Sequence, residues 1–243
     1  MYEPRAYRHW IEGKDLIPFN VTVKETDLYI RASSNLKRKT HRLVLKHRQH
    51  LETYIEHHPD FLTSIEPLPV PEDAPHIVKQ MMAAAQNAGV GPMASVAGAI
   101  AENVGKELLP FSPEIIIENG GDIYLKSLRK RTIGIFAGKS PFTGKIGLEI
   151  NAQDTPLSIC TSSGTVGHSL SLGKADAVVV LAGSATLADA AATAIANRVI
   201  QPDDITSAIE FSESIRGLKG VIIIKDDNIG VWGEVKLCET SSV

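Results

Sequence analysis

The segment that decides the fold is EIIIENGGDIYLKSL, residues 114–128, in which two apolar runs flank an Asn-Gly-Gly-Asp turn. Four further strand-like segments follow at short intervals, with Gly, Asn and Ser at the joins: TIGIFAG (132–138), KIGLEI (145–150), LSICTS (157–162) and DAVVVLA (176–182). Consecutive strands favour an antiparallel sheet with helices packed on one face over the regular alternation of strands and helices in a parallel sheet. The sequence therefore predicts an α+β fold built in two layers.

Hairpins and helices are predicted on both sides of this strand-rich segment. Residues 19–32 and 220–235 each consist of two apolar runs across a polar turn, which is the pattern of a β-hairpin. Four helices are predicted, over residues 36–58, 77–89, 93–109 and 184–200. Ser184 is a suitable N-cap for the last helix. The third helix is so rich in Ala and Gly that one of its faces is nearly flat, so another part of the chain must approach its backbone closely.

Length and composition are those of an ordinary globular protein: 243 residues, 43% hydrophobic and 22% charged. We expect a single domain over residues 1–243, with a helix-rich lobe (1–113) and a strand-rich lobe (114–243) as a further division. Two cysteines are too few for a disulfide framework, which fits a reducing cytoplasm. The first ten residues contain no apolar run, and no segment reaches the roughly 18 apolar residues of a membrane span. We therefore expect a cytoplasmic protein that does not cross a membrane.

Positive charge is concentrated in residues 31–50, which carry seven Lys or Arg, three His and no acidic residue. Such a segment attracts phosphates or an acidic partner, or it forms the solvated face of an amphipathic helix. Leucines at roughly helical spacing favour the second interpretation. No recognised nucleic-acid-binding module accompanies the charge, so we expect no nucleic-acid partner.

The first segment with candidate chemistry is the turn of Asn119, Gly120, Gly121 and Asp122. Paired glycines permit positive φ and leave backbone N–H groups uncovered, so this turn is suited to binding an anion or a polar small-molecule ligand. A plain β-turn has the same composition.

The second segment, residues 160–169, is dense in hydroxyl groups and contains one histidine. Its candidate ligand-binding residues are Thr161, Ser162, Ser163 and Gly164, and His168 is a candidate for proton transfer. Cys160 is either a nucleophile or, more commonly for a free cysteine, part of the core.

The third segment is ADAAATA, in which Asp189 and Thr193 are four residues apart and share one helical face. A carboxylate among so many alanines is costly to desolvate, and a bound cation offsets that cost. Carboxylate and hydroxyl oxygens suit Mg²⁺. Alternatively, Asp189 lies near the start of the helix and interacts with its dipole.

Together these segments resemble conserved blocks of the ApbE-like superfamily, the FAD:protein FMN transferases. ENGGDIY resembles the Asn-x-Gly-Gly-Asp block, TSSG with a downstream His resembles the Thr-Ser-Gly block, and ADAAATA resembles the Ala-Asp-Ala-x-Ala-Thr-Ala block. GPMASVAGAIAE and ETDL are more similar to an uncharacterised branch of that superfamily.

The resemblance implies a duplicated two-layer α+β arrangement of the T-fold type. It also implies that Asp189 and Thr193 hold Mg²⁺ together with a backbone carbonyl of Gly98 or Ala99. By the same resemblance, a flavin nucleotide, FAD or FMN, binds at the Gly-Gly turn and near His168.

Two departures from the transferase pattern leave two hypotheses open. This chain has Glu102-Asn103 where the transferases have Lys-Gly, and it lacks the acid and the proline that follow their histidine. The first hypothesis is a Mg²⁺-assisted transferase or hydrolase for a nucleotide or another phosphate-bearing molecule, with His168 and Glu102 in catalysis. The second is a non-catalytic protein that binds a flavin-like ligand. We expect a homodimer in either case, because paired copies hide exposed sheet edges.

Overall fold

A computed structural model describes Arg8, residues 10–165 and residues 172–240 of the chain. Its strands are β1 (Ile17–Val23), β2 (Thr26–Ala32), β3 (Ile115–Asn119), β4 (Asp122–Lys126), β5 (Arg131–Gly134), β6 (Ile146–Ile150), β7 (Leu157–Ser162), β8 (Ala177–Ala182), β9 (Leu218–Lys225), β10 (Asn228–Gly233) and β11 (Leu237–Glu239). Its helices are α1 (Lys37–His57), α2 (Asp60–Thr63), α3 (His76–Ala88), α4 (Val96–Leu108), α5 (Ala185–Ala196) and α6 (Asp204–Ser214). None of the helices in these residues combines the length and apolar character that a bilayer crossing requires.

Two antiparallel sheets organise the described strands. The large sheet has eight strands in the order β1-β2-β3-β4-β7-β8-β9-β10, and the small sheet has the order β11-β6-β5. Every neighbouring pair of strands is antiparallel. The predicted α+β class is therefore confirmed, and both predicted hairpins form, as β1-β2 and β9-β10.

Side-chain alternation along the strands separates two apolar cores. Leu28, Ile30 and Tyr124 lie on the face that the helices cover. Ile116 and Leu125 lie on the opposite face, against the small sheet. The helices and the large sheet thus form the two predicted layers, and the small sheet adds a layer over the opposite face.

The large sheet repeats one order of elements. In its first half, hairpin β1-β2 is followed by α1–α4 and hairpin β3-β4, and in its second half hairpin β7-β8 is followed by α5–α6 and hairpin β9-β10. Strands β4 and β7 join the halves. This repetition is compatible with the duplication that the resemblance implies, which stays a prediction. Strands from both predicted lobes share this sheet, and the domain division likewise stays a prediction.

The close backbone approach predicted for the Ala- and Gly-rich helix is confirmed. A Cβ built on Gly98 of α4 would lie only 2.3 Å from the carbonyl oxygen of Ala185, at the start of α5. Helices α4 and α5 therefore cross in direct backbone contact, which only glycine permits. This crossing sets the distance between the side chains that the two helices carry.

Helix α6 and strand β11 were not predicted from the sequence. The buried residues of α6 are only Ile205, Ala208 and Ser212, so its apolar stripe is too narrow to give a strong periodic signal. Strand β11 has three residues, which is too short for an alternating pattern to be recognised. Helix α6 packs against β9 and β10 of the large sheet, and β11 pairs with β6 in the small sheet.

Candidate functional site

The Gly-Gly turn joins β3 to β4 and is held by its neighbours. Gly120 and Gly121 adopt φ values of +67° and +108°, which favour glycine. Glu118, which is fully buried, accepts a hydrogen bond from the Gly121 N–H (2.8 Å) and forms an ion pair with Arg8 (2.6 Å). Asn119 donates its side-chain amide to the carbonyl of Ala97 (3.0 Å), so the turn is also tied to the first turn of α4.

Asp122 and Asp189 meet beneath this turn. Asp122 is the first residue of β4 and is only 5% exposed. Asp189 lies in the second turn of α5, is partly exposed and forms a hydrogen bond with Asp122. Its Oδ2 also accepts the N–H of Gly98 (2.9 Å). The structure thereby brings the predicted metal-binding aspartate and the predicted ligand-binding aspartate into one cluster.

The two carboxyl groups retain protons more strongly than exposed aspartates. Burial raises the pKa of Asp189 to about 7, against the lowering effect of hydrogen bonds from Gly98, Ala97 and Asp122. Burial, and then the charge of Asp189, raise the pKa of Asp122 well above its usual value. Within the described residues, neither aspartate has an ion-pair partner. Such a pair is suited to sharing a proton or to binding a cation.

Cys160 belongs to the buried lining of this cluster. It is fully buried on β7, and its thiol donates to the carbonyl of Ala185 (3.4 Å). Burial and the charge of Asp122 raise the pKa of this thiol well above its usual value. The thiolate that a nucleophile requires is therefore disfavoured, and the core interpretation of Cys160 is the better one.

The four predicted ligand-binding residues of β7 and the following turn divide between two environments. The N–H of Thr161 donates to Asp122 (3.3 Å), and Thr161 is therefore in the cluster. Ser162 is 7% exposed at the end of β7. Ser163 and Gly164 form hydrogen bonds to the carbonyl of Ala175, two residues before β8. Of these four residues, Thr161 is the one with a hydrogen bond to the aspartate pair.

The remaining predicted metal ligands have different surroundings. Thr193 is partly exposed, and its hydroxyl has no hydrogen-bond partner in the part of the chain described. The carbonyl of Ala99 accepts the side-chain amide of Asn103 (2.8 Å). The α4 groups that contact Asp189 are backbone N–H groups, those of Ala97 and Gly98, and not the expected carbonyl. In residues 8, 10–165 and 172–240, no three His, Cys, Asp or Glu side chains cluster as a metal site.

Glu102 has a structural environment that the sequence did not reveal. Its side chain is 1% exposed and accepts hydrogen bonds from Lys106 (2.6 Å), Ser184 (2.8 Å) and Thr186 (3.0 and 3.1 Å). Burial raises its pKa, but the bonds from Lys106, Thr186 and Ser184 outweigh burial and hold the pKa below its usual value. These contacts favour a structural role over the catalytic role expected for Glu102.

His168 lies outside the described residues, as do all of residues 166–171. Its expected role as a proton carrier stays a prediction.

Comparisons with known proteins agree on one family. Residues 8–231 match the model of the family described as AbpE bacteria. The chain is 42% identical over 221 residues to a UPF0280 protein of Methanocaldococcus jannaschii, covering 88% of this chain and 90% of that one. It is 41% identical over 229 residues to a UPF0280 protein of Methanococcus aeolicus, covering 90% and 91%.

Solved structures with the same fold include flavin transferases. A mutant of the flavin transferase ApbE from Vibrio cholerae matches with a TM-score of 0.60 at 15% identity, over 93% of this chain and 97% of that one. The apo flavinyl transferase ApbE of Pseudomonas stutzeri matches with a TM-score of 0.58 at 12% identity, over 93% and 95%. The chain therefore has the fold of the ApbE flavin transferases.

Proposed function

Because the chain belongs to the family described as AbpE bacteria, we propose that it is a Mg²⁺-assisted transferase or hydrolase for a flavin nucleotide or another phosphate-bearing small molecule. The observation that carries the proposal is the contact between the buried Asp122 and the partly exposed Asp189 beside the Gly-Gly turn. Two carboxyl groups that lie together without a basic partner are costly to ionise, and a divalent cation bound between them compensates their negative charge.

The donor set fits Mg²⁺. Asp122 and Asp189 supply carboxylate oxygens, and the hydroxyl of Thr193, one helical turn further along α5, supplies a neutral oxygen. Mg²⁺ commonly binds through one or two carboxylates and completes its coordination with water and substrate phosphates, so a cluster of three acidic side chains is unnecessary. When bound, the ion neutralises negative charge on phosphate oxygens.

The chain's own residues would position the ligand around the aspartates. Gly120 is exposed, and a Cβ built on it would have no atom within 4 Å, so a ligand can approach this backbone closely. Thr161 links the cluster to the hydroxyl-rich segment that follows β7. His168 follows that segment and is proposed as the proton carrier, because the pKa of an unperturbed histidine lies near neutrality.

Flavin binding and flavin turnover are tested together in one experiment. Protein stripped of metal is mixed with FAD, with and without MgCl₂, while binding is measured by calorimetry and phosphate chemistry by ³¹P NMR. We expect Mg²⁺-dependent FAD binding that Asp122→Asn and Asp189→Asn weaken and that Asp15→Asn, an aspartate paired with Arg131, leaves unchanged.

Each outcome of that experiment has a distinct meaning. New ³¹P signals establish transferase or hydrolase activity, and covalent flavin on an added threonine-containing acceptor establishes transfer. Binding without new signals supports the non-catalytic flavin-binding alternative. Equal behaviour of the wild type with and without Mg²⁺ contradicts the proposed cation site. The cytoplasmic location and the homodimer are also proposals, and light scattering on the purified protein tests the second.

A further inference from the structure

Helices α4 and α5 are linked by two carboxylates that act in opposite directions. Asp189 of α5 accepts backbone N–H groups from the first turn of α4. Glu102 of α4 accepts donors from the first turn of α5. Each helix therefore supplies an acid to the positive end of the other helix's dipole.

The contact of Glu102 with α5 is specific, and the Glu102 side chain is buried. One oxygen, Oε2, accepts the hydroxyl of Ser184, the backbone N–H of Thr186 and the hydroxyl of Thr186. Ser184 is the N-cap of α5, and its hydroxyl also accepts the N–H of Leu187. The other oxygen, Oε1, accepts Lys106, which lies on the same helix as Glu102. The carboxylate thus fixes the start of α5 against α4.

Asp189 lies within one helical turn of these contacts. Because α5 is regular from Ala185 onward, a shift of its first turn moves Asp189 by a similar distance. Gly98 contributes no side chain where it contacts the Ala185 backbone, so there is little space at this crossing to absorb such a shift. The hydrogen bond from Gly98 to Asp189 is therefore sensitive to where Glu102 holds α5.

We propose that Glu102 is a positioning residue for Asp189: by holding the first turn of α5, it places the Asp189 carboxylate against Gly98 and Asp122. The proposal rests on the proposed function where it concerns cation binding. The claim that Glu102 fixes the position of Asp189 concerns the metal-free protein and does not depend on cation binding. Residues that orient a metal ligand without touching the ion change metal affinity by about 10-fold to 100-fold when they are replaced.

The test compares Glu102→Gln with Lys106→Met. In Glu102→Gln the side chain has one acceptor oxygen instead of two and lacks the negative charge that attracts the start of α5. Lys106→Met removes only the hydrogen-bond partner of Oε1. The Gly98 amide resonance is recorded in metal-free protein, and Mn²⁺ affinity is measured by electron paramagnetic resonance. We expect Glu102→Gln to shift the Gly98 resonance and to weaken Mn²⁺ binding at least about 10-fold, and Lys106→Met to leave both nearly unchanged.

The two measurements separate failure of the proposal from failure of the proposed function. An unchanged Gly98 resonance in Glu102→Gln overturns the positioning role, whatever happens to Mn²⁺ affinity. A shifted resonance in a protein whose wild type binds no Mn²⁺ supports positioning and contradicts the cation site. If Glu102→Gln does not fold, Ser184→Ala removes one of the same α5 contacts and is measured in its place, with the same outcomes.

Discussion

Replacement of Asp189 by asparagine should remove a pH dependence from the stability of the metal-free protein. The pKa of Asp189 is raised from 3.8 to about 7 in the folded protein. Between these two pH values the folded protein holds a proton that the unfolded chain has released. The free energy of unfolding therefore falls by about 1.4 kcal/mol for each unit by which the pH rises. The stability that the Asp189 proton contributes is fully present below pH 3.8 and is lost as the pH rises through about 7. It amounts to at most about 4 kcal/mol. The asparagine side chain keeps an acceptor for the Gly98 N–H but has no proton to lose.

The assay is urea unfolding in EDTA at several pH values from 4 to 8, for the wild type and for Asp189→Asn. The difference between the two free energies of unfolding isolates Asp189, together with its effect on the pKa of Asp122, from the other titrating groups. Asp15→Asn is the control with the opposite sign: a hydrogen bond from Arg131 lowers the pKa of Asp15 to about 2. Its contribution is present above pH 3.8 and is lost as the pH falls through about 2, so this variant leaves the slope unchanged above about pH 5, where Asp15 is ionised in both the folded and the unfolded chain.

Magnesium adds a second, independent readout in the same titration. At pH 8 both aspartates are poorest in protons, and Mg²⁺ at 100 times its Kd should raise the free energy of unfolding of the wild type by about 2.7 kcal/mol. Asp189→Asn should lose most of this gain. Identical slopes in the wild type and in Asp189→Asn would refute the buried, proton-sharing pair on which the magnitude depends. Equal stability of the wild type with and without Mg²⁺ would refute the cation site alone.

Two backbone predictions test the geometry around the pair. Gly98→Ala places a Cβ 2.3 Å from the Ala185 carbonyl, so we expect the free energy of unfolding in urea to fall by about 3 kcal/mol. The control is Gly183→Ala: a Cβ at Gly183 has no atom within 4 Å, so this variant should change the free energy of unfolding by less than about 0.5 kcal/mol. Equal effects of the two substitutions would contradict the contact between α4 and α5. Gly121→Ala, at φ +108°, should cost about 1–3 kcal/mol and lower FAD affinity in calorimetry, and undiminished stability would mean that the turn adopts another conformation.

Local sequence pattern was sufficient for most of the fold. Strands with continuous apolar runs and helices bounded by Gly or Pro formed close to their predicted ranges, because burial and backbone restriction act over a few residues. Gly89 ends α3 in the left-handed conformation, and Ser184 caps α5, as the residue types indicate. Short or polar elements such as α6 depend on tertiary contacts that no local pattern records.

The candidate site was predictable only in part. Asp122 and Asp189 each stood out as an acid among glycine or alanine neighbours, but their contact arises from the packing of β4 against α5, which the sequence does not encode locally. The sequence also does not predict the direction in which the Glu102 side chain points. An acid on an Ala- and Gly-rich helix is compatible with a ligand site or with a cap, and the position of Thr186 decides between them.

The orientation of Glu102 also changes the meaning of its charge. The resemblance to the transferases places a lysine at this position, and a carboxylate in its place reverses the charge offered to a phosphate. In the structure the carboxylate faces the start of α5 and Lys106, which together compensate its charge. Its field is therefore directed into the protein, and the exchange does not by itself argue against phosphate binding beside Asp189. Phosphate chemistry on a bound ligand distinguishes an enzyme from a binding protein on this scaffold, and the ³¹P experiment on FAD measures it directly.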